Sequence, residues 1–186
     1  MITIISPAKS LDFDSSLADI KTTEPIFQDE SYRLIKKLRT LSKKRVRSMM
    51  NLSKDLTELN VTRYQEWEPD FKPEYSRPAL LTFNGEVYRG IDAKNLTDSD
   101  LEFAQDHLRI LSGLHGVLRP LDRIRPYRLE MGTSLAIQRK KNLYQFWSEK
   151  VTKTIADAME ANKTDTLINL ASSEYFKAVD FEKLPG

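Results

Sequence analysis

Residues 109–132 read RILSGLHGVLRPLDRIRPYRLEMG, and the reading of the first few decides the fold class. Leu108–Leu111 either prolong the helical pattern before them or open a strand, and periodicity over so few residues does not separate the two. We read a strand from about Arg109. Gly113, Gly116, Pro120 and Pro126 then break regular structure, while Arg109, Arg119, Arg123, Arg125 and Arg128 set five guanidinium groups among them. Arginine offers a planar fork of donors suited to phosphate or carboxylate, which lysine does not. The alternative is a surface loop whose arginines pair with Asp106, Asp122 and Glu130 for about 0 to 1 kcal/mol each.

Strands and helices alternate outward from this segment. Upstream, Thr97 with Asp100 three residues on resembles a capping box, and Leu101, Phe103, Ala104 and Leu108 fill the helix it starts. Before that, Ala79–Phe83 reads as a buried strand ending at the turn signal Asn84-Gly85, behind Pro69, Pro73 and Pro78. Residues 29–40 carry Tyr32, Ile35 and Leu38 at helical spacing. Ser42 caps a second helix with Val46, Met49 and Met50, and Ser53 caps a third through Leu56, Leu59 and Tyr64 toward Trp67. Met1–Ile5 is a short buried strand that empties into Ser6-Pro7-Ala8-Lys9. Downstream, Leu143, Phe146, Trp147, Val151, Ile155 and Met159 mark a long amphipathic helix; Thr166–Leu170 is a strand, leading through Ala171-Ser172-Ser173 into a helix with Tyr175 and Phe176. The spacing is irregular and no Gly-rich turn follows a strand, so the class is mixed α/β of the α+β-like kind. We expect one domain over residues 1–186, a mixed sheet flanked by helices.

The chain has 186 residues, 40% of them apolar, with 29 basic against 27 acidic side chains. A net charge of +2 places any affinity for polyanions in local clusters rather than in the total. Without cysteine there is no disulfide, thiolate nucleophile or cysteine-held metal, and a reducing cytoplasm is the simplest location. No stretch approaches the roughly 20 apolar residues of a membrane helix, and Met1 leads straight into a strand, so neither membrane spanning nor secretion is expected.

Charge clusters in two places. Arg33, Lys36, Lys37, Arg39, Lys43, Lys44, Arg45, Arg47 and Lys54 put nine cations into 22 residues with no acid among them. Two short helices joined near Leu41-Ser42 project these toward a phosphate backbone, giving binding that is salt-dependent and nearly blind to sequence. A solvated helix face is the plainer reading. The second cluster is assembled from strand ends: Lys9, then Asn84 and Glu86, then the arginine segment with Glu130, then Ser172, Ser173, Glu174 and Lys177. Polar groups at strand ends meet at one edge of a sheet, where ligands bind. We expect an anion-binding cleft of Lys9, Arg109, Arg119, Arg125, Arg128 and Lys177. Lys9, Glu130 and Ser172 are the candidates for catalysis. His107 and His115 are the only histidines and share no ligand pattern, so neither a metal nor a cofactor is expected. His107 reads as a late-helix residue and His115 as a loop residue. No Gly-x-Ser-x-Gly elbow, P-loop or Rossmann glycine motif occurs.

Six motifs occur in order: Ser6-Pro7-Ala8-Lys9; Phe83-Asn84-Gly85-Glu86-Val87-Tyr88; Leu111 through Asp122; Pro126-Tyr127-Arg128-Leu129-Glu130-Met131-Gly132; Leu143-Tyr144-Gln145-Phe146-Trp147; and Ile168 through Phe176. Together they resemble the bacterial YaaA family across nearly the whole chain. The resemblance implies a cytoplasmic protein of the hydrogen peroxide response that limits damage by lowering unincorporated iron. It implies a helix-hairpin-helix-like element, mapping to residues 33–66, and a positively charged cleft as in DNA-binding proteins. It also implies further strands and a basic helix beyond Gly186, so the C-terminus is expected to be incomplete.

Two functions follow. One is a peroxide-stress protein that binds DNA through the basic helices. The other is an enzyme acting on a phosphorylated or nucleotide-like small molecule in the arginine cleft, for which Glu130 and Ser172 would have a use that nonspecific phosphate binding does not give them.

Overall fold

A computed structural model describes residues 1–16 and 20–185. Strands β1 (Ile2–Ile5) and β2 (Ser10–Leu11) precede helices α1 (Gln28–Arg39), α2 (Lys43–Met50) and α3 (Lys54–Glu66). Next come β3 (Arg77–Pro78), α4 (Ala79–Thr82), β4 (Phe83–Asn84), α5 (Glu86–Ile91) and α6 (Asp98–His107). Strands β5 (Leu108–Ser112), β6 (Gly116–Leu118) and β7 (Arg123–Ile124), helix α7 (Leu143–Ala161), strand β8 (Leu167–Asn169) and helix α8 (Ser173–Phe176) follow. The class is mixed α and β, as the sequence indicates.

The main sheet has the order β6-β5-β1-β8. β1 runs parallel to both β5 and β8, pairing Ile5 with Ile110 and Ile4 with Asn169, while β6 is antiparallel to β5. The C-terminal ends of three parallel strands therefore lie side by side and deliver Ser6, Gly113 and Ala171 to one edge. The strand read from about Arg109 starts one residue earlier, at Leu108, where the α6 helix ends.

Capping explains the helix starts. Ser42 accepts from Arg45 N, Ser53 from Leu56 N, and Thr97 with Asp100 forms a reciprocal box. Helix α7 buries Leu143, Phe146, Trp147, Val151, Ile155 and Met159, the stripe expected of it. Two expectations need correction. Ala79–Thr82 is a helical turn, and only Phe83 of that run is in a strand, paired with Leu11. Thr82 Oγ1 donates to Pro78 O at 2.6 Å, while Ala79 N and Leu80 N donate to Asp122 O and Pro120 O, so this run is held by the loop after β6 instead of by a ladder. Helix α3 also faces the core differently: Leu56 and Leu59 are 40% and 44% exposed, while Thr57, Asn60 and Tyr64 are buried. Thr57 Oγ1 and Asn60 Nδ2 return their hydrogen bonds to Ser53 O and Leu56 O, which satisfies those donors and lets a polar face go inside.

His115 follows β5 in a turn, as expected, but it is a core residue. Its Nδ1 lies 3.0 Å from Ser31 Oγ, and Trp67, Phe71 and Tyr127 surround the ring. Burial drives its pKa down from 6.5 to about 3. The unfolded chain takes up this proton below pH 6.5 and the native protein does not until about pH 3. The stability tied to the neutral ring is thus complete above pH 6.5 and is lost as pH falls, by roughly 1.4 kcal/mol per pH unit. Urea unfolding should show a loss of about 2 kcal/mol between pH 7 and pH 5 that His115→Phe removes. An equal loss in the variant would acquit His115.

Candidate functional site

The strand-end edge brings together part of the expected constellation. Lys9, Arg128 and Glu130 line one cavity with Pro7, Ala8, Phe83, Tyr127, Leu129 and Tyr175. Ser172 closes the neighbouring strand end, where its N–H donates to Ser6 Oγ at 2.9 Å and Ser6 Oγ donates to Ser172 Oγ at 3.2 Å. Tyr88 donates to Ser6 O, which ties the loop after β1 to α5. The Ser172 N–H is therefore already occupied by a protein acceptor.

Glu130 is set by Arg128. Arg128 Nε and Nη2 reach Glu130 Oε1 at 2.9 and 2.8 Å, and both side chains are mostly buried, with 16% and 15% exposed. The other carboxylate oxygen, Oε2, is buried without a hydrogen-bond partner among the described residues. Tyr64 donates to Arg128 O, so α3 holds the same strap from behind. Ser112 Oγ and Tyr127 Oη share a hydrogen bond of 2.7 Å. Burial, reinforced by the charge of Glu130, pushes the Tyr127 and Tyr175 phenols above their ordinary pKa and keeps them protonated. The sequence assigns no site role to Tyr127 or Tyr175, although both stand inside the motif segments; an aromatic letter alone does not separate a core ring from a pocket wall.

The remaining expected cleft residues do not join this cavity. Arg109 is 8% exposed and donates to Gln105 O and Leu108 O, both at 2.8 Å. Arg119 pairs with the fully buried Asp122 and reaches Glu24 O. Arg125 donates to Glu66 O at the end of α3 and to Glu68 O and Asp70 O beyond it. Lys177 follows α8 on the exposed surface. The arginine segment is thus mostly a set of clamps on carbonyl oxygens and carboxylates, with Arg128 the one member at the cavity.

The basic run divides similarly. Arg33, Lys36, Lys37 and Arg39 lie on α1, Lys43, Lys44, Arg45 and Arg47 on α2, and Lys54 opens α3. Arg39 is withdrawn from solvent, donating to Tyr64 O at 2.7 Å, to Gln65 O at 3.2 Å, to Trp67 O and to Glu68. It caps the last carbonyls of α3. Arg47 Nε reaches Leu52 O, Arg45 reaches Ser134 O, Lys36 sits over the Tyr32 ring and Lys43 lies 3.9 Å from Glu58. Arg33, Lys44 and Lys54 make no ion pair among the described residues, and Lys44 and Lys54 are exposed. Helices α2 and α3 meet at Asn51-Leu52-Ser53, where Asn51 takes a left-handed conformation, φ 50°, and Leu52 is buried. The first turn of α2 is Lys43-Lys44-Arg45 with no acid, the charge order opposite to what a helix N-terminus favours.

Among the described residues, no three His, Asp or Glu side chains gather as a metal site, and no helix is long and apolar enough to cross a membrane. A family model described as peroxide stress protein YaaA matches residues 1–186.

Proposed function

This chain belongs to the YaaA family of peroxide stress proteins, and we propose that it acts in that response by binding DNA through the basic face of α1, α2 and the start of α3. The observation that carries the reading is the first turn of α2. Three cations stand at a positive helix end with no acid in the same turn and only Lys43 near a carboxylate, Glu58 at 3.9 Å, a disposition that costs roughly 0.3 to 1 kcal/mol for each unrelieved cation and that a phosphate would turn favourable. The pair α2 and α3, joined by three residues, is the helix-hairpin-helix-like element of this reading. Lys44 and Lys54, exposed at its two helix starts, are the side chains most available to a backbone. Long basic side chains around a helix end bind phosphates without reading bases, so affinity is expected to be nearly independent of sequence. Protection of DNA in the cytoplasm, with unincorporated iron lowered as the physiological result, completes the proposal and rests on the family resemblance.

Replacing Lys43, Lys44, Arg45 and Arg47 with Ala should lower duplex affinity at least about tenfold at low salt. It should also flatten the dependence of log K on log salt by about 0.9 for each phosphate that is no longer neutralised. Fluorescence anisotropy over a salt series measures both, with thermal melts to show that the variant is folded. An unchanged slope would remove the hairpin from the interface. The iron part is checked by electron spin resonance of chelatable iron in peroxide-stressed cells. Expression of the wild type should lower that signal relative to cells lacking the protein.

A further inference from the structure

We infer that the cavity between Lys9, Arg128 and Glu130 binds a small anion that also carries a neutral hydroxyl or amino group, the donor of which is received by Glu130 Oε2. The inference builds on the strand-end cavity and is independent of the DNA reading.

The charge of the site comes first. Arg128 and Glu130 neutralise each other through Oε1, and Lys9 adds one further cation at the mouth, exposed and free of any carboxylate among the described residues. Arg128 Nη1 is also left over, since Nε and Nη2 serve Glu130. A net positive mouth with two unspent donors suits a phosphate or carboxylate. The interior has the opposite need. Glu130 Oε2 is a charged acceptor out of reach of solvent and without a donor among the described residues, a condition that buried polar groups rarely keep. Glu130 lines a cavity of about 20 Å³, room for about one water-sized group, and a small turn of its carboxylate would bring Oε2 to that space.

The neighbours do not meet that need. Tyr127 is engaged with Ser112, Tyr175 makes no hydrogen bond to Glu130 Oε2, and both phenols stay protonated, so neither supplies a competing anion. A cationic amine is disfavoured by Lys9 and Arg128 together. A neutral O–H or N–H is what remains, placed where the anionic end of the same molecule meets Lys9. The backbone on both sides of Glu130 is pinned: Gly113 lies against Leu129 and Glu130, and Gly132 N–H is bound by Glu174 at 2.9 Å. The carboxylate is thus held in place before any ligand arrives.

The probes are sn-glycerol 3-phosphate, which has both features, and inorganic phosphate, which lacks the neutral carbon-borne hydroxyl. Calorimetric titration of the wild type should give glycerol 3-phosphate at least about a tenfold advantage, as expected for one hydrogen bond to a buried charge. Glu130→Gln must turn its carbonyl oxygen toward the Arg128 fork and so present an N–H where Oε2 was. It should erase the advantage of glycerol 3-phosphate, while inorganic phosphate binds more tightly than to the wild type because Arg128 is no longer neutralised by a carboxylate. Lys9→Ala should weaken both probes. Equal affinities in the wild type, an advantage that survives Glu130→Gln, or no binding of either probe at millimolar concentration would each overturn the inference. If Glu130→Gln does not fold, the wild-type comparison and Lys9→Ala, at an exposed residue, still decide. The α2 variants described above should bind glycerol 3-phosphate as the wild type does, so failure of DNA binding and failure of this site are separable.

Discussion

Gly113→Ala should destabilise the protein by about 3 kcal/mol or more and disorder the Glu130 cavity with it. A methyl group at residue 113 would press on the carbonyl oxygen of Leu129 and lie 2.9 Å from both Leu129 C and Glu130 C. These are backbone atoms, so no side-chain rotation relieves the clash. The strap cannot retreat either: Leu129 and Met131 are buried on each side of Glu130, and Tyr64 and Ser112 hold its neighbours Arg128 and Tyr127 by hydrogen bonds. On the other side, Gly113 O accepts from the buried Trp147 Nε1 at 2.9 Å, so movement of β5 away from the strap would break that bond. Equilibrium urea unfolding measures the cost. Gly90→Ala is the control, because nothing lies within 4 Å of its missing methyl group inside α5. That change should be neutral or stabilising by up to about 1 kcal/mol. A Gly113→Ala variant within about 0.5 kcal/mol of the wild type would mean that the strap gives way and does not fix Glu130.

Local chemistry made much of this fold legible. The serine and threonine caps of α2, α3 and α6 and the long apolar stripe of α7 are short-range signals, and each appears in the sequence where the structure has it. Ala79–Phe83 was not decidable locally, because a run of four apolar residues and a threonine fits a strand or a helical turn equally well and the acceptors that settle it belong to Pro120 and Asp122, some forty positions away. Helix α3 shows a second limit. Burying Thr57 and Asn60 instead of Leu56 and Leu59 is eased because Thr57 Oγ1 and Asn60 Nδ2 donate to their own helix, which a hydrophobicity pattern does not register, while Asn60 Oδ1 has no partner among the described residues. At the site, Lys9 comes from the loop after β1, whereas Arg128 and Glu130 reach the same cavity because the segment after β7 lies against Gly113 at the end of β5, a contact that polar residues at strand ends do not announce. Arg109, Arg119 and Arg125 do not reach the cavity, because a guanidinium serves a carbonyl oxygen as readily as an external anion, and only the partner tells which. His115 is the same lesson for histidine: the turn it occupies is local, and the Ser31, Trp67 and Phe71 around it are not.

Asp122→Ala should cost about 2 to 3 kcal/mol, because it strips the hydrogen bonds from a fully buried carboxylate while its partner Arg119, 31% exposed, can turn to solvent. Asp122 is fully buried, yet its carboxylate ties Thr23 to the loop after β6. Oδ1 accepts from Thr23 Oγ1 at 2.6 Å and from Arg119 Nε and Nη2 at 3.1 and 2.8 Å, while Oδ2 accepts from Arg119 N at 2.8 Å. Its own backbone O accepts from Ala79 N, so the residue also fixes the helical turn α4 that leads to Phe83 at the cavity wall. Removing the carboxylate leaves the Arg119 guanidinium with Glu24 O alone and the Thr23 hydroxyl with only its bond from Gln105. Asp122→Asn retains one acceptor but turns an N–H toward either the Arg119 fork or the Arg119 backbone donor, and should recover only part of the loss. A double-mutant cycle with Arg119→Ala isolates the pair. Once Asp122 is gone, removing Arg119 should cost little more, because the charge left unpaired is then removed as well. A loss below about 1 kcal/mol for Asp122→Ala would show that the carboxylate is a surface-like pair in energy despite its burial. Additive losses in the cycle would show that Asp122 acts through Thr23 and the strap from residue 119 to residue 123 instead of through Arg119.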